Sequence, residues 1–292
     1  MSLRKFKAQT WHAWPPPEAP HWNLGALLAM LVVGGALAAS WHIAEIEPSL
    51  LFGEQGRRHI GAFLTGLFPP DLSLPFLRLL IVPTIETMQI AITGTVLAIM
   101  VGFPLGLLAT DRLWFAGIIY EMEGEASGWR RKVRYSVYLM ARMLLNLCRS
   151  IPDVVWALMF VRVVGLGPFP GVLAIGVSYG GMLGKIYAEI LENSHEGPIE
   201  ALHAAGVGKF GLLVYGFLPQ ACTSLVSYSL YRWECAIRSA AILGLVGAGG
   251  LGQQLEISMR MFQYHETSTI LIIVFVLVTA VDHLSSWVRK AL

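Results

Sequence analysis

Residues 200–219, EALHAAGVGKFGLLVYGFLP, set a short polar-headed segment directly ahead of an apolar run that closes on Leu-Pro. With its upstream flank the segment reads NSHEGPIEALHAAG. Pro198 suits the first helical position, where its missing N–H has no partner to lose. Glu200 falls in the first turn, where the helix dipole favours a negative charge. Gly206 suits the left-handed position just past a helix end. The spacing therefore predicts a two-turn helix over 198–205, about 12 Å long at about 1.5 Å per residue. A helix this short is not stable alone in water, so flanking structure or a partner must hold it.

What flanks it is greasy. Of 292 residues, 55% are hydrophobic and only 14% are charged, against about 25% charged in an ordinary soluble domain. Mean hydropathy is +0.60. Crossing about 30 Å of hydrocarbon takes about 20 residues of helix, and six stretches qualify: 24–42, 84–109, 135–160 with Pro152 inside it, 171–191, 212–236 and 267–288. The chain reads as an all-α, polytopic membrane protein with six transmembrane helices. Its first apolar run follows a polar, proline-containing start and is expected to be a retained span rather than a cleaved signal. Cys148, Cys222 and Cys235 all lie in or beside apolar runs, which argues against a disulfide framework.

Orientation follows the distribution of basic residues. With a cytoplasmic N-terminus the inner segments hold Arg4, Lys5, Lys7, Arg112, the WRRKVR cluster at 129–134, Lys209, Arg289 and Lys290. The outer segments hold only Arg57, Arg58, Arg78, Arg162 and Arg260. Six spans place both termini in the cytoplasm, and the 198–205 helix with them. Three regions are expected: a cytoplasmic segment 1–23, a first span with an external stretch over 24–80, and a core over 81–292. The external stretch 43–80, rich in Phe, Leu and Pro, has room for an amphipathic helix on the outer surface.

Glu200-Ala201, Gly206 and Leu218-Pro219 match the spacing of the EAA signature of ABC-importer permeases, with Leu202 where that signature usually has Ala. The segments RSIPDVVWALMFVRVVGLGPFPGVLAIGVSYGGMLGKIYAEILE (149–192) and YRWECAIRSAAILGLVGAGGLG (231–252) resemble the phosphonate-transporter branch of that family, and the likeness covers roughly 80–290. The resemblance implies a type I importer permease fold in a bacterial cytoplasmic (inner) membrane. It implies a coupling helix at about 198–206 that seats on an ATP-hydrolysing subunit, with Glu200, Ala201 and Gly206 at the coupling positions and His203 and Lys209 beside them. It implies a second copy of this chain, two ATP-binding subunits carrying ATP and Mg, and an external phosphonate- or oxyanion-binding protein. The cargo it implies is a phosphonate or a related oxyanion such as phosphite or phosphate, with another small solute as the alternative within the same transporter class.

The chain itself carries no cofactor signature, and no nucleic-acid partner is expected. It lacks the G-x-x-x-x-G-K-[ST] phosphate loop, so ATP hydrolysis is expected from another chain. GAGGLG at 247–252 fits the dinucleotide pattern G-x-G-x-x-G but follows a membrane span rather than a strand, and reads as a tight turn near the outer mouth. The histidines form no metal-spaced cluster and no H-E-x-x-H motif. A stand-alone channel or ion-driven carrier shares the apolar pattern but needs no docking helix, and a membrane enzyme lacks a catalytic constellation.

Charges inside spans cost about 2.5–3.5 kcal/mol each on insertion scales and normally face a polar interior. Arg232, Glu234, Arg238 and Arg149 are therefore the candidates for the translocation pathway. Glu234 and Arg238 are four apart and able to pair, whereas Arg232 falls on the side of Tyr228. Arg142, Asn146, Arg149 and Asp153 are spaced to share one helix face, which favours an interior network with an Arg149–Asp153 pair. Lys185 and Glu189, four apart, read as an internal pair without a transport role.

Overall fold

A computed structural model describes residues 24–45, 47, 52–114 and 128–291. By contact the chain separates into two compact units, Met1–Ala62 and Phe63–Leu292. In the first, α1 (Leu24–Ile43) carries no charged residue along its twenty positions and is apolar around its whole circumference. A second helix, α2 (Glu54–Gly66), opens on Glu54, which pairs with Arg58 at 2.9 Å.

The second unit runs through α3 (Leu74–Leu108), the short α4 (Asp111–Trp114), α5 (Gly128–Ser150), α6 (Asp153–Val164), α7 (Pro168–Glu192) and α8 (Glu196–Ala204). One turn at Lys209–Gly211 and a π-helix at Leu212–Phe217 then lead into α9 (Leu218–Leu243), α10 (Gly250–Arg260) and α11 (Tyr264–Ala291). Among the described residues, five helical stretches are long and apolar enough to cross a membrane: Leu24–Ile43, Leu74–Leu108, Pro168–Glu192, Lys209–Val246 and Tyr264–Lys290. The bent pair α5–α6 makes a sixth when counted as one span. Counted so, six spans are recovered, and the third is interrupted at Pro152, as the proline in that run leads one to expect.

Pro152 explains the difference. It lacks an N–H, and it disfavours helical geometry at Ile151 before it, so the helix stops at Ser150 and restarts at Asp153, bent by 90°. The indole N–H of Trp156 on α6 donates to the Cys148 carbonyl at 3.1 Å, satisfying a carbonyl at the end of α5 and bracing the elbow.

The core lies where α3 and α7 press together, and glycine makes the approach possible. A Cβ on Gly184 would lie 2.8 Å from the Gly102 carbonyl oxygen and 2.5 Å from a Leu145 methyl. Small residues of this kind let membrane helices meet backbone to backbone. Two tyrosines of α7 then reach α9: the hydroxyls of Tyr179 and Ser239 are 2.8 Å apart, and those of Tyr187 and Ser229 2.6 Å. The π-helix is marked by the Leu218 N–H donating to the Leu213 carbonyl, five residues back.

The glycine motif at 247–252 is a turn, as its setting suggests. Gly247, Gly249 and Gly250 have φ of +92°, +79° and +70°. At the start of α10, Glu86 accepts the Gly250 N–H at 3.1 Å and the Thr87 hydroxyl accepts that of Leu251 at 2.9 Å. Side chains of α3 thus supply the cap that the glycines cannot.

Candidate functional site

The short helix forms, two residues earlier than its spacing suggests. It spans Glu196–Ala204, with His195 before it, so Pro198 is its third residue rather than its first. That position is still within the first turn, whose N–H groups lack helical partners, and proline costs nothing there. The far end closes at Gly206, whose φ is +82°. Its N–H donates to the His203 carbonyl at 2.8 Å and that of Val207 to Leu202 at 3.1 Å. These are the two bonds of a Schellman cap, which consumes carbonyls that would otherwise be stranded.

One side of α8 is pinned and the other is free. Ile199 is buried in the main core cluster, and Leu202 packs against that cluster, both lying against Gly216 in the π-helix. Glu200, Ala201 and His203 are solvent-exposed, while Lys209, at the start of the next turn, is half-buried.

The start of α8 is tied down as firmly. Arg112 donates to the Ser194 carbonyl at 2.7 Å and lies 3.4 Å from the Glu196 carboxylate. Gln220 of α9 accepts the His195 N–H at 3.0 Å and donates to the Gly216 carbonyl at 2.9 Å. Just upstream, Glu192 holds Arg142 at 2.7 Å and accepts the Asp111 N–H at 2.7 Å. Arg142 is therefore part of a network that joins α5 to the end of α7. Sequence spacing did not point to Arg112, Glu192 or Gln220, because each acts across elements; the clustering of charge around 189–196 is the signal that was available.

Among the charged residues of the spans, the pairings differ from the local ones that spacing suggests. Glu234 is not paired with Arg238. It is buried on α9 and lies 2.7 Å from Arg289 of α11, a charge contact without hydrogen-bond alignment. Arg238 is exposed and, among the described residues, hydrogen-bonds the Cys235 sulfur at 3.4 Å. A buried carboxylate favours a cation beside it, and here that cation is Arg289 of α11. Arg149 likewise has no bond to Asp153: the bend at Pro152 takes Asp153 off the stripe, and Arg149 donates to Asn146 at 3.1 Å. Asp153 instead accepts the Val154 N–H at the start of α6.

Arg232 does lie with Tyr228, whose hydroxyl accepts from its Nε and Nη2 at 3.0 and 2.8 Å. Its guanidinium also sits 5.5, 5.3 and 5.9 Å from the ring centres of Tyr179, Tyr228 and Tyr231. Arg149 and Arg232 line one cavity of about 260 Å³, together with Lys185, Ser150, Met182, Ile186 and Tyr228. Lys185 pairs with Glu189 at 3.5 Å, as its spacing suggests.

A bundle of membrane helices carrying one pinned, surface-presented helix between two spans defines a polytopic membrane protein. The model of the family described as "Binding-protein-dependent transport system inner membrane component" matches residues 124–292, and the chain belongs to that family. It is 34% identical, over 89% of its length and 86% of the relative's, to the phosphite transport system permease protein PtxC of Stutzerimonas stutzeri. It is 31% identical over 88% of its length, and 44% of the relative's, to the phosphate-import permease protein PhnE of Mycolicibacterium smegmatis. A putative cryptic phosphonate transport system permease protein of Escherichia coli, PhnE2, is 41% identical over 40% of this chain and 97% of its own. The fold is shared with a chain of the MetNI methionine ABC transporter, at a TM-score of 0.62 and 24% identity, over 75% of this chain and 99% of that one.

Proposed function

We propose that this permease imports a phosphonate or a related phosphorus oxyanion, phosphite or phosphate, driven by ATP hydrolysed on a separate subunit. The reading of the drive rests on one observation: α8 is fixed on its Ile199–Leu202 side and offers Glu200, Ala201 and His203 to solvent. A helix held that way passes on a push because it cannot slide along its own support. Gly206 lets the chain turn sharply enough for the helix to stand at the surface, and Lys209 opens the way back into the membrane. The cargo reading is supported by the relatives named for phosphite, phosphate and phosphonate transport.

In this reading the permease is a homodimer with both termini in the cytoplasm. Two ATP-binding subunits, holding ATP and Mg, seat on the two copies of α8, and an external binding protein delivers the anion. Closure of the ATP-binding pair draws the two helices together and opens the bundle outward; hydrolysis resets it. Arg232 and Arg149 lie on the pathway, while Glu234 serves to lock α9 to α11 and Arg238 has no part in it.

The test is Glu200→Arg in the reconstituted complex. A reversed charge on the exposed face is expected to abolish transport-coupled ATP hydrolysis while the permease remains monodisperse. Parental coupling in that variant removes α8 from the drive. Heat-stability of the external binding protein in phosphite, phosphate, methylphosphonate and sulfate ranks the cargo.

A further inference from the structure

We propose that Arg149, Lys185 and Arg232 together form one binding station for a tetrahedral phosphorus oxyanion within the bundle. The proposal rests on the oxyanion reading above and adds to it a residue, Lys185, and a place. The three cations come from three helices, α5, α7 and α9, and converge on a single cavity of about 260 Å³, several times the volume a water molecule occupies. No carboxylate lines that cavity.

Its neighbour shows what a purely structural network looks like in the same protein. There Arg142, Arg149 and Lys185 share the lining with Glu189 and Glu192, and the Arg142–Glu192 and Lys185–Glu189 contacts pair two of the three cations. On the Arg232 side only part of the charge is met, through the contact of Lys185 with Glu189. Among the described residues Arg149 and Arg232 form no ion pair; they donate to the neutral oxygens of Asn146 and the Tyr228 hydroxyl. The rings of Tyr179, Tyr228 and Tyr231 surround the Arg232 guanidinium, which holds a planar cation in place without neutralising it.

Arg149 is exposed and Arg232 half-buried, and cations without a carboxylate partner that face a cavity of a membrane bundle call for an anion. Guanidinium groups present paired N–H donors that match two oxygens of a tetrahedral oxyanion, and the lysine adds a mobile point charge. Glu189 competes for Lys185 at 3.5 Å, so the ammonium can leave the anion again. A carrier needs that release. An anionic lipid headgroup offers the same phosphate chemistry, and the experiment separates the two sources.

Two measurements on the complete transporter test the station. In the first, Lys185→Met and Lys185→Arg are compared with the parent for ATP-driven uptake of phosphite, phosphate and methylphosphonate into proteoliposomes, with co-elution of the ATP-binding subunits as the check on assembly. Lys185→Met is expected to lower uptake about tenfold, the loss that one charge-assisted hydrogen bond supports, and Lys185→Arg to restore most of it. In the second, which uses only parental protein, modification of Lys185 by an acylating reagent and of Arg149 and Arg232 by phenylglyoxal is followed by mass spectrometry. Inorganic phosphate or methylphosphonate is expected to slow all three together, relative to chloride at equal ionic strength. Parental uptake in Lys185→Met with no protection overturns the station and leaves the cargo reading standing. Protection that requires phosphatidylglycerol in the bilayer, and not the soluble anion, assigns the cavity to lipid and also overturns it. A parent that transports no phosphorus oxyanion brings down both readings.

Discussion

Replacing Gly206 by alanine sets a methyl group on a residue whose φ is +82° and whose surroundings are open. The cost is then backbone strain alone, about 1–2 kcal/mol for an L-residue in the left-handed region. Gly206→Ala is expected to lower the thermal midpoint of the purified permease, and Gly206→Asn to lower it less, because asparagine tolerates that region. This residue was legible in the sequence: a glycine after a two-turn polar segment has few other uses. The partner of Glu234 was not. Spacing along one helix favours Arg238, but Glu234 is buried and Arg238 is exposed, and the cation that meets it comes from α11. Glu234→Ala should destabilise the permease by about 2 kcal/mol, less than a fully buried pair because Arg289 keeps part of its hydration. A double-mutant cycle with Arg289→Ala should return a coupling energy, whereas a cycle with Arg238→Ala should return none.

At the scale of elements, the spans and the surface helix follow from apolar length and end signals, which are local. The 90° elbow at Pro152 was half legible. Proline dictates that the helix breaks, but the angle is set by what the second half packs against, including the Trp156 indole on the Cys148 carbonyl. The network of Arg112, Arg142 and Glu192 was not legible, since those residues lie on separate helices. The α3–α7 seam makes the sharpest test at this scale. Gly184→Ala places a Cβ against backbone on one side and Leu145 on the other, and only the leucine can move. The seam must open, at a cost typical of overpacking, about 1–3 kcal/mol. Gly184→Ala is expected to broaden the gel-filtration profile in detergent, while Gly197→Ala in α8, where a Cβ meets nothing within 4 Å, should not.

For the molecule as a whole, one chain offers one α8, and two are required if two ATP-binding subunits are to move together. Mass measurement of the detergent-solubilised complex is expected to give two permease copies and two ATP-binding subunits. A cysteine at Trp129 should be labelled only from the cytoplasmic side of sealed vesicles. The π-helix between α8 and α9 bears on how tightly the surface helix and the bundle interior are locked in phase. A π segment holds one residue more than an α-helix would use over the same rise, so its surplus is expendable in a way that no position in α9 is. Deleting Tyr215, which is exposed, should let the segment relax to α-helix and leave Ile199 and Arg232 facing as they do now, with uptake retained. Deleting Thr223 in α9 instead turns everything beyond it by about 100°, carries Arg232 out of its cavity and should abolish uptake. Length variation among related chains is accordingly expected to concentrate at this one turn, where a residue can be lost without retuning the machine.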